Sequence, residues 1–117
     1  MRREGREAAY LWDMVEAARE ALEFTRGYDR RRYLSDRATQ RAVERLVEII
    51  GEAARRLPED FREAHPEIPW RRMIGQRHVL AHDYDDIDHE RIWDLVSTHL
   101  PALTAALEPL LPPRSED

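Results

Sequence analysis

Four side chains able to handle phosphate groups and protons lie within eight consecutive positions of this 117-residue chain. They are Arg77, His78, His82 and Tyr84. Arginine stays charged and offers paired donors to phosphate oxygens, whereas histidine titrates near neutral pH and can transfer protons. This density of polar side chains predicts chemistry rather than packing.

The spacing of these residues matches a known pattern. The motif R-x4-H-x-Y is formed by Arg77, His82 and Tyr84, with four residues between the first two and one between the last two. With this motif the chain resembles the HepT-like toxins of the HEPN superfamily. The similarity runs from the first predicted helix to about Pro112, and its other marks are Gly51-Glu52-Ala53, Ile68-Pro69-Trp70 and Ile92-Trp93. His78 departs from the pattern, because many relatives have another polar residue there, often asparagine.

The resemblance implies an endoribonuclease that needs no metal ion or other cofactor. Arg77 and His82 would be catalytic, and the substrate would be a tRNA or an mRNA. His78, where the chain departs from the pattern, adds a second titratable group beside this site and is a candidate auxiliary residue. The resemblance also implies a toxin of a type VII-like toxin–antitoxin system. Its partner would be a minimal nucleotidyltransferase antitoxin that neutralises the toxin by adding AMP to Tyr84.

The geometry of a helix favours a site built from two chains. Residues five apart on an ideal helix are separated by about 140° around its axis, so Arg77 and His82 do not share a face unless the helix ends between them. A two-fold axis can bring two copies of the motif into one cleft. We therefore predict a homodimer, with the apolar face of the first or the last helix as material for its interface.

Other interpretations of the same residues remain open. The chain could be an inactive helical partner of a nucleotidyltransferase, although a scaffold has no chemical reason to keep Arg77 and His82. His78 and His82, four apart, could begin a metal site with Asp85, Asp86 or His89, but no third ligand on a second helix can be identified. Tyr84 taken alone suits a packed tyrosine with a bonded hydroxyl.

Apolar periodicity predicts the elements that position the motif. We expect an all-α, HEPN-like bundle of four longer helices and one short segment, as a single domain over residues 1–117 with a frayed tail from about 112 to 117. The first two longer helices are predicted at about 7–25 and from a cap at Ser35 or Asp36 to Leu57. The short segment follows from Pro58 to about His65. The other two longer helices are predicted from Trp70 to about His82 and from a cap at Asp88 to about Leu110, and Pro101 is expected to kink or split the last one.

Three further groups of polar residues receive predictions. Residues 28–34 are expected to form a connection, either a solvated loop or an edge that grips phosphate through Arg30 to Arg32. The acidic residues Asp83, Asp85, Asp86 and Asp88 suit caps and turns, and could also help to dock an antitoxin. The histidines outside the motif, His65, His89 and His99, are expected to be solvated.

Composition limits the remaining choices. The net charge of −5 argues against a protein that coats nucleic acid nonspecifically, so any RNA contact must be local or assembled from several subunits. All 19 basic residues are arginine, which fits either a coding bias or a role in gripping phosphate. The chain has no cysteine, no signal-peptide pattern and no apolar run of about 20 residues, so we expect a cytoplasmic protein without a membrane span.

Overall fold

Every regular element in the described part of the protein is a helix. The computed structural model describes residues 3–75 and 87–113, with side chains from residue 5 onward. Its elements are α1 (Arg3–Phe24), α2 (Arg30–Ser35), α3 (Arg37–Arg56), α4 (Glu59–Ala64), α5 (70–75, up to the last described residue), α6 (His89–Asp94), a π-helical turn (Leu95–His99), α7 (Leu100–Leu107) and a 3₁₀ turn (Glu108–Leu110). The predicted all-α bundle is confirmed.

The pair α1 and α3 forms the centre of the core. Both helices bury a stripe at three- and four-residue spacing, as in Met14 and Ala18 on α1 and Val47 and Ile50 on α3. Burying a side chain such as Ile50 contributes about 1.5–3 kcal/mol relative to leaving it exposed. Helix α1 ends where Gly27 adopts a φ of 76°, a left-handed conformation that favours glycine.

Residues 30–35 are helical, so the prediction of a connection over 28–34 is wrong for most of that segment. Two local features stabilise a helix here, although the Arg triplet gives no apolar pattern that would predict one. The side chain of Asp29 caps α2 by accepting from the backbone N–H of Arg32 at 2.8 Å, and Tyr33 is completely buried, which anchors the turn to the core. The side chain of Asp36 then caps α3 in the predicted way.

The last helical stretch is interrupted just before Pro101. Five residues in π-helical geometry separate α6 from α7, and Pro101 occupies the first turn of α7, where its missing N–H costs least. A π-helical turn thus interrupts the α-helical geometry next to Pro101, where the sequence predicts a kink or a split. The buried residues Leu100, Leu103 and Leu107 pack into the same core as α1 and α3.

The C-terminal end of the described chain is held against α1. The indole of Trp12 on α1 donates to the carbonyl of Pro112 at 3.1 Å, so the chain is held at least that far. Helix α4 lies within the short segment predicted from Pro58 to His65. Along the described ranges, no helix is both long and apolar enough to cross a bilayer.

Candidate active site

The predicted site residues fall between the two described ranges. Arg77, His78, His82 and Tyr84 all lie in segment 76–86, so their predicted roles remain predictions. The acidic residues from Asp83 to Asp86 lie there too. The described residues define the two ends from which this segment, called here the motif segment, starts and returns.

The motif segment starts from a firmly packed helix. Trp70, at the beginning of α5, is 8% exposed, and its indole donates to the carbonyl of His65 at 2.9 Å. Its ring meets that of Phe61 edge-on, with centroids 6.3 Å apart. One turn later Met73 is completely buried. Arg77 therefore follows, by four residues, a side chain fixed in the core.

The segment returns to an equally well-defined helix start. The side chain of Asp88 accepts from the backbone N–H groups of Glu90 and Arg91, at 3.1 and 3.2 Å, as the predicted cap of α6. The carboxylate of Glu90 also pairs with Arg30, which joins α6 to α2. Ile92 is buried one turn further.

Three titratable side chains meet beside this helix start, in what we call the Tyr33–Glu44–His89 cluster. Nδ1 of His89 lies 3.4 Å from a carboxylate oxygen of Glu44, close enough for an ion pair, although the geometry is not that of a hydrogen bond. The hydroxyl of Tyr33 is buried and bonds to no described atom. The Tyr33 ring stacks on Trp93, with centroids 5.4 Å apart. The cluster links α2, α3 and α6.

Burial controls the titration of this cluster. Loss of solvent, reinforced by the negative charge of Glu44, raises the pKa of Tyr33 well above its usual value, so its hydroxyl stays protonated. Burial also raises the pKa of Glu44, against the lowering influence of His89, Arg41 and Arg37. The cluster therefore keeps an ionisable carboxyl partly desolvated at the end of the fold where the motif segment returns.

The other two histidines outside the motif are partly covered rather than simply solvated. The ring of His65 packs on Phe61 with centroids 4.6 Å apart, and its side chain is 25% exposed. The ring of His99 contacts the guanidinium of Arg72 and lies 3.5 Å from a carboxylate oxygen of Asp94. With His89 against Glu44, each of these histidines has a polar or aromatic neighbour, so the prediction of solvated side chains is wrong in that respect.

The apolar faces predicted to form a dimer interface are occupied within the chain. Leu11, Met14 and Val15 of α1 are at most 3% exposed, and Leu103 and Leu107 of α7 at most 1%. Among the described residues, the large apolar side chains left exposed are Phe24 and Leu34. Material for an interface between copies must therefore come from elsewhere on the surface.

An open groove of roughly 390 Å³ lies between α1 and α3, and is lined by Tyr10, Asp13, Arg45, Glu48, Ile49, Glu52, Ala53 and Arg56. It contains none of the predicted site residues. Its charges are largely neutralised: Glu52 accepts hydrogen bonds from Arg55 and Arg56 at 3.0 and 2.8 Å. In the described ranges, no group of three or more histidine, aspartate or glutamate side chains could hold a metal ion. The metal site considered as an alternative from the sequence cannot be compared with the structure, because all of its residues except His89 lie in the motif segment.

Sequence reasoning missed the Tyr33–Glu44–His89 cluster. The sequence predicts a connection at Tyr33, and it places Glu44 on the polar side of an amphipathic helix. The available signal was Asp29, which stands three residues before the N–H that it caps and marks a helix start ahead of Tyr33. Recognising that short helix would have placed an aromatic residue in the core beside α6.

Comparison with known proteins gives the chain a family. The family model described as "Ribonuclease HepT-like" matches residues 14–110, from the middle of α1 to the end of the last helical turn. The match includes both helices that flank the motif segment and the motif itself. No solved structure matches the chain significantly.

Several curated proteins are similar over most of their length. "Probable ribonuclease HepT" of Thermococcus cleftensis is 44% identical over 101 residues, which cover 86% of this chain and 92% of the relative. "Putative RNase MJ1380" of Methanocaldococcus jannaschii is 38% identical over 100 residues, with the same coverage of both chains. "Putative RNase TTE0752" of Caldanaerobacter subterraneus is 31% identical, covering 87% of this chain and 91% of the relative. The family and the enzyme class expected from the motif are thus confirmed, and the chain belongs to the HepT-like ribonuclease family.

Proposed function

We propose that this protein is the toxin endoribonuclease of a toxin–antitoxin pair, and that it cleaves RNA without a metal ion through Arg77 and His82. The observation that carries the proposal is the R-x4-H-x-Y motif at positions 77–84 inside a family match that spans residues 14–110. Similarity to proteins named as ribonucleases supports RNA as the substrate.

The chemistry follows from the two residue types. The ribose 2′-oxygen attacks the adjacent phosphorus, the bond from phosphorus to the 5′-oxygen breaks, and the products are a 2′,3′-cyclic phosphate and a 5′-hydroxyl. One proton leaves the 2′-hydroxyl and one reaches the departing 5′-oxygen. His82 handles proton transfer, which is typically worth about 10²–10⁴-fold in rate. Arg77 stabilises the charge that builds up on the phosphorane oxygens.

We further propose that two copies of the chain share one cleft. Arg77 and His82 are five residues apart, so one helix does not present both to the same phosphate unless it ends between them. In a dimer related by a two-fold axis, each copy can supply the residue that the other cannot place.

Tyr84 is proposed as the point of control. Adding AMP to its hydroxyl places phosphate charge and bulk next to Arg77 and His82 in sequence, so the modified protein repels and excludes an RNA phosphate. A nucleotidyltransferase antitoxin is the proposed catalyst: the Tyr84 oxygen attacks the α-phosphorus of ATP, the bond from that phosphorus to the β-phosphate oxygen breaks, and pyrophosphate leaves. A Tyr84→Phe protein should escape neutralisation by that partner; continued full neutralisation of this variant would contradict the proposal.

The test is cleavage of a total tRNA and mRNA pool by purified, unmodified protein in excess EDTA. We expect cleavage with 2′,3′-cyclic phosphate ends, and its loss in Arg77→Ala and His82→Ala proteins. His99→Gln is the matched control, since it removes a histidine outside the motif and should leave most of the activity. Absence of cleavage by the original protein would favour the alternative, an inactive helical partner of a nucleotidyltransferase.

A further inference from the structure

The end of the fold formed by α2 and the first half of α3 carries a local excess of positive charge. Residues 30–43 include five arginines and one acidic residue, in a chain whose net charge is −5. All five, Arg30, Arg31, Arg32, Arg37 and Arg41, are exposed. The arginine positions follow the helices rather than a loop, so these helices fix their backbone positions.

Two of the carboxylates near these arginines, Asp29 and Asp36, are held by helix-capping and side-chain hydrogen bonds. Asp29 accepts from the N–H of Arg32 at 2.8 Å, and Asp36 accepts from the N–H of Thr39 at 3.1 Å and from the hydroxyl of Tyr28 at 2.6 Å. A carboxylate used as a cap lies against amide groups rather than against a guanidinium. The local positive charge is therefore only partly neutralised.

The arginines themselves fall into two groups. Arg30 is paired with Glu90, and Arg32 lies over the ring of Tyr28, 4.0 Å from its centroid. Arg31, Arg37 and Arg41 form no ion pair with any residue in the described ranges. The first group holds α2 in place. In the second group Arg37 and Arg41 interact electrostatically with Glu44 without a close ion pair, and all three guanidinium groups are exposed and can be reached by a ligand. We call these three residues the arginine surface.

The arginine surface lies at the same end of the fold as the end of the motif segment. The Arg30 and Glu90 pair fixes α2 against the start of α6. Glu90 follows Tyr84 by six residues, and a fully extended chain of that length spans no more than about 22 Å. A single RNA strand can therefore extend from the motif to α2 over a few nucleotides.

We propose that Arg31, Arg37 and Arg41 bind the phosphate backbone of the RNA strand beside the cleavage site. This inference rests on the proposed function, which supplies the RNA. Guanidinium groups bind phosphate oxygens in pairs and with little regard to base identity, so they position a strand without reading its sequence. A docked protein fits this surface less well, because the centre of a protein interface is depleted of charged residues.

The test is a binding titration with RNA that carries methyl groups on its 2′-oxygens, which removes the nucleophile. The triple variant Arg31→Gln, Arg37→Gln, Arg41→Gln is compared with the original protein in excess EDTA at several salt concentrations. Arg55→Gln is the matched control for the loss of an exposed arginine, since it lies on the same α3 helix, 14 residues beyond Arg41 or about 21 Å along the axis. Melting curves check that every variant is folded.

We expect the triple variant to bind at least about tenfold more weakly and to lose about 2 units from the slope of log affinity against log salt, because each lost contact to a single strand removes about 0.7. Arg55→Gln should match the original. Equal affinity and slope in the triple variant, with an original protein that binds and cleaves RNA, would overturn this inference alone. Loss of neutralisation by an antitoxin with unchanged RNA binding would also overturn it. Failure of the original protein to cleave any RNA would instead reject the proposed function.

Discussion

The contact between α1 and α3 and the corner where α2 meets α6 stabilise the molecule by different means. The first is aliphatic, with Met14, Val15, Val47 and Ile50 all at most 1% exposed. The second buries a tyrosine hydroxyl with no described partner and a partly desolvated glutamate. Buried polar groups that are incompletely bonded cost free energy, so the corner is the less stable of the two regions.

The two regions therefore contribute differently to the stability of the fold. The α1 and α3 contact depends on packing that many aliphatic sequences could provide. The corner combines costly polar groups with exposed arginines at the end of the fold to which the motif segment returns. Departures from the most stable arrangement are expected near functional sites, and the corner is the described region that fits this expectation.

The largest effect on stability is expected from the aliphatic region. Ile50→Ala removes most of a completely buried side chain, and should lower the free energy of unfolding by about 2–5 kcal/mol, measured by denaturant titration. Arg55→Gln, on the exposed side of the same helix, is the control and should change it by less than about 0.5 kcal/mol. A loss below about 1 kcal/mol for Ile50→Ala would mean that the contact is not the main source of stability.

A smaller effect of opposite sign separates Tyr33, in the corner, from Tyr28, which precedes α2 and bonds to the start of α3. Tyr33→Phe removes a buried hydroxyl without a described partner, and should leave the free energy of unfolding unchanged or raise it by about 1 kcal/mol. Tyr28→Phe removes a hydroxyl that is bonded to Asp36 and lies 3.1 Å from the hydroxyl of Thr39, and it should lower the free energy of unfolding. The two substitutions delete the same atom, so each controls for the other. A larger loss for Tyr33→Phe than for Tyr28→Phe would show that the Tyr33 hydroxyl is bonded in solution.

The sequence predicts the contact between α1 and α3 better than it predicts the corner where α2 meets α6. Regular apolar spacing on α1 and α3 predicts both helices and their buried faces, because the period of a helix is visible in one chain. The corner depends on Tyr33, Glu44 and His89, which are 11 and 45 residues apart in sequence and show no common pattern. Their meeting is a consequence of packing between α2, α3 and α6, which local propensity does not encode.

The motif shows the reverse relation. Its residue types and spacing predict Arg77, His82 and Tyr84 as the site, and the family match supports the class of enzyme. All three lie outside the described ranges, so their roles remain predictions. The sequence also predicts the two flanks, since a helix that begins at Trp70 and a helix cap at Asp88 are both confirmed.

The smallest expected effect on stability concerns the pH dependence of Glu44. Its pKa is raised in the folded protein, mainly by burial, so its contribution to stability is complete below the unfolded value near 4.5 and is lost as pH rises through the folded pKa. Relative to Glu44→Gln, a protein with Glu44 should therefore be less stable at about pH 7 than at about pH 4. The comparison is made in a His89→Gln background, which removes the imidazole that lies 3.4 Å from Glu44. A difference that does not vary with pH would show that Glu44 is solvated.

The most direct test of the account is the RNA cleavage rate of His82→Ala protein, measured beside its melting temperature and compared with the original. If catalysis depends on the motif and stability on the helical core, the rate should fall by about 100-fold or more while the melting temperature stays the same. A cleavage rate within about twofold of the original, in folded protein, would contradict the assignment of His82 and with it the proposed mechanism.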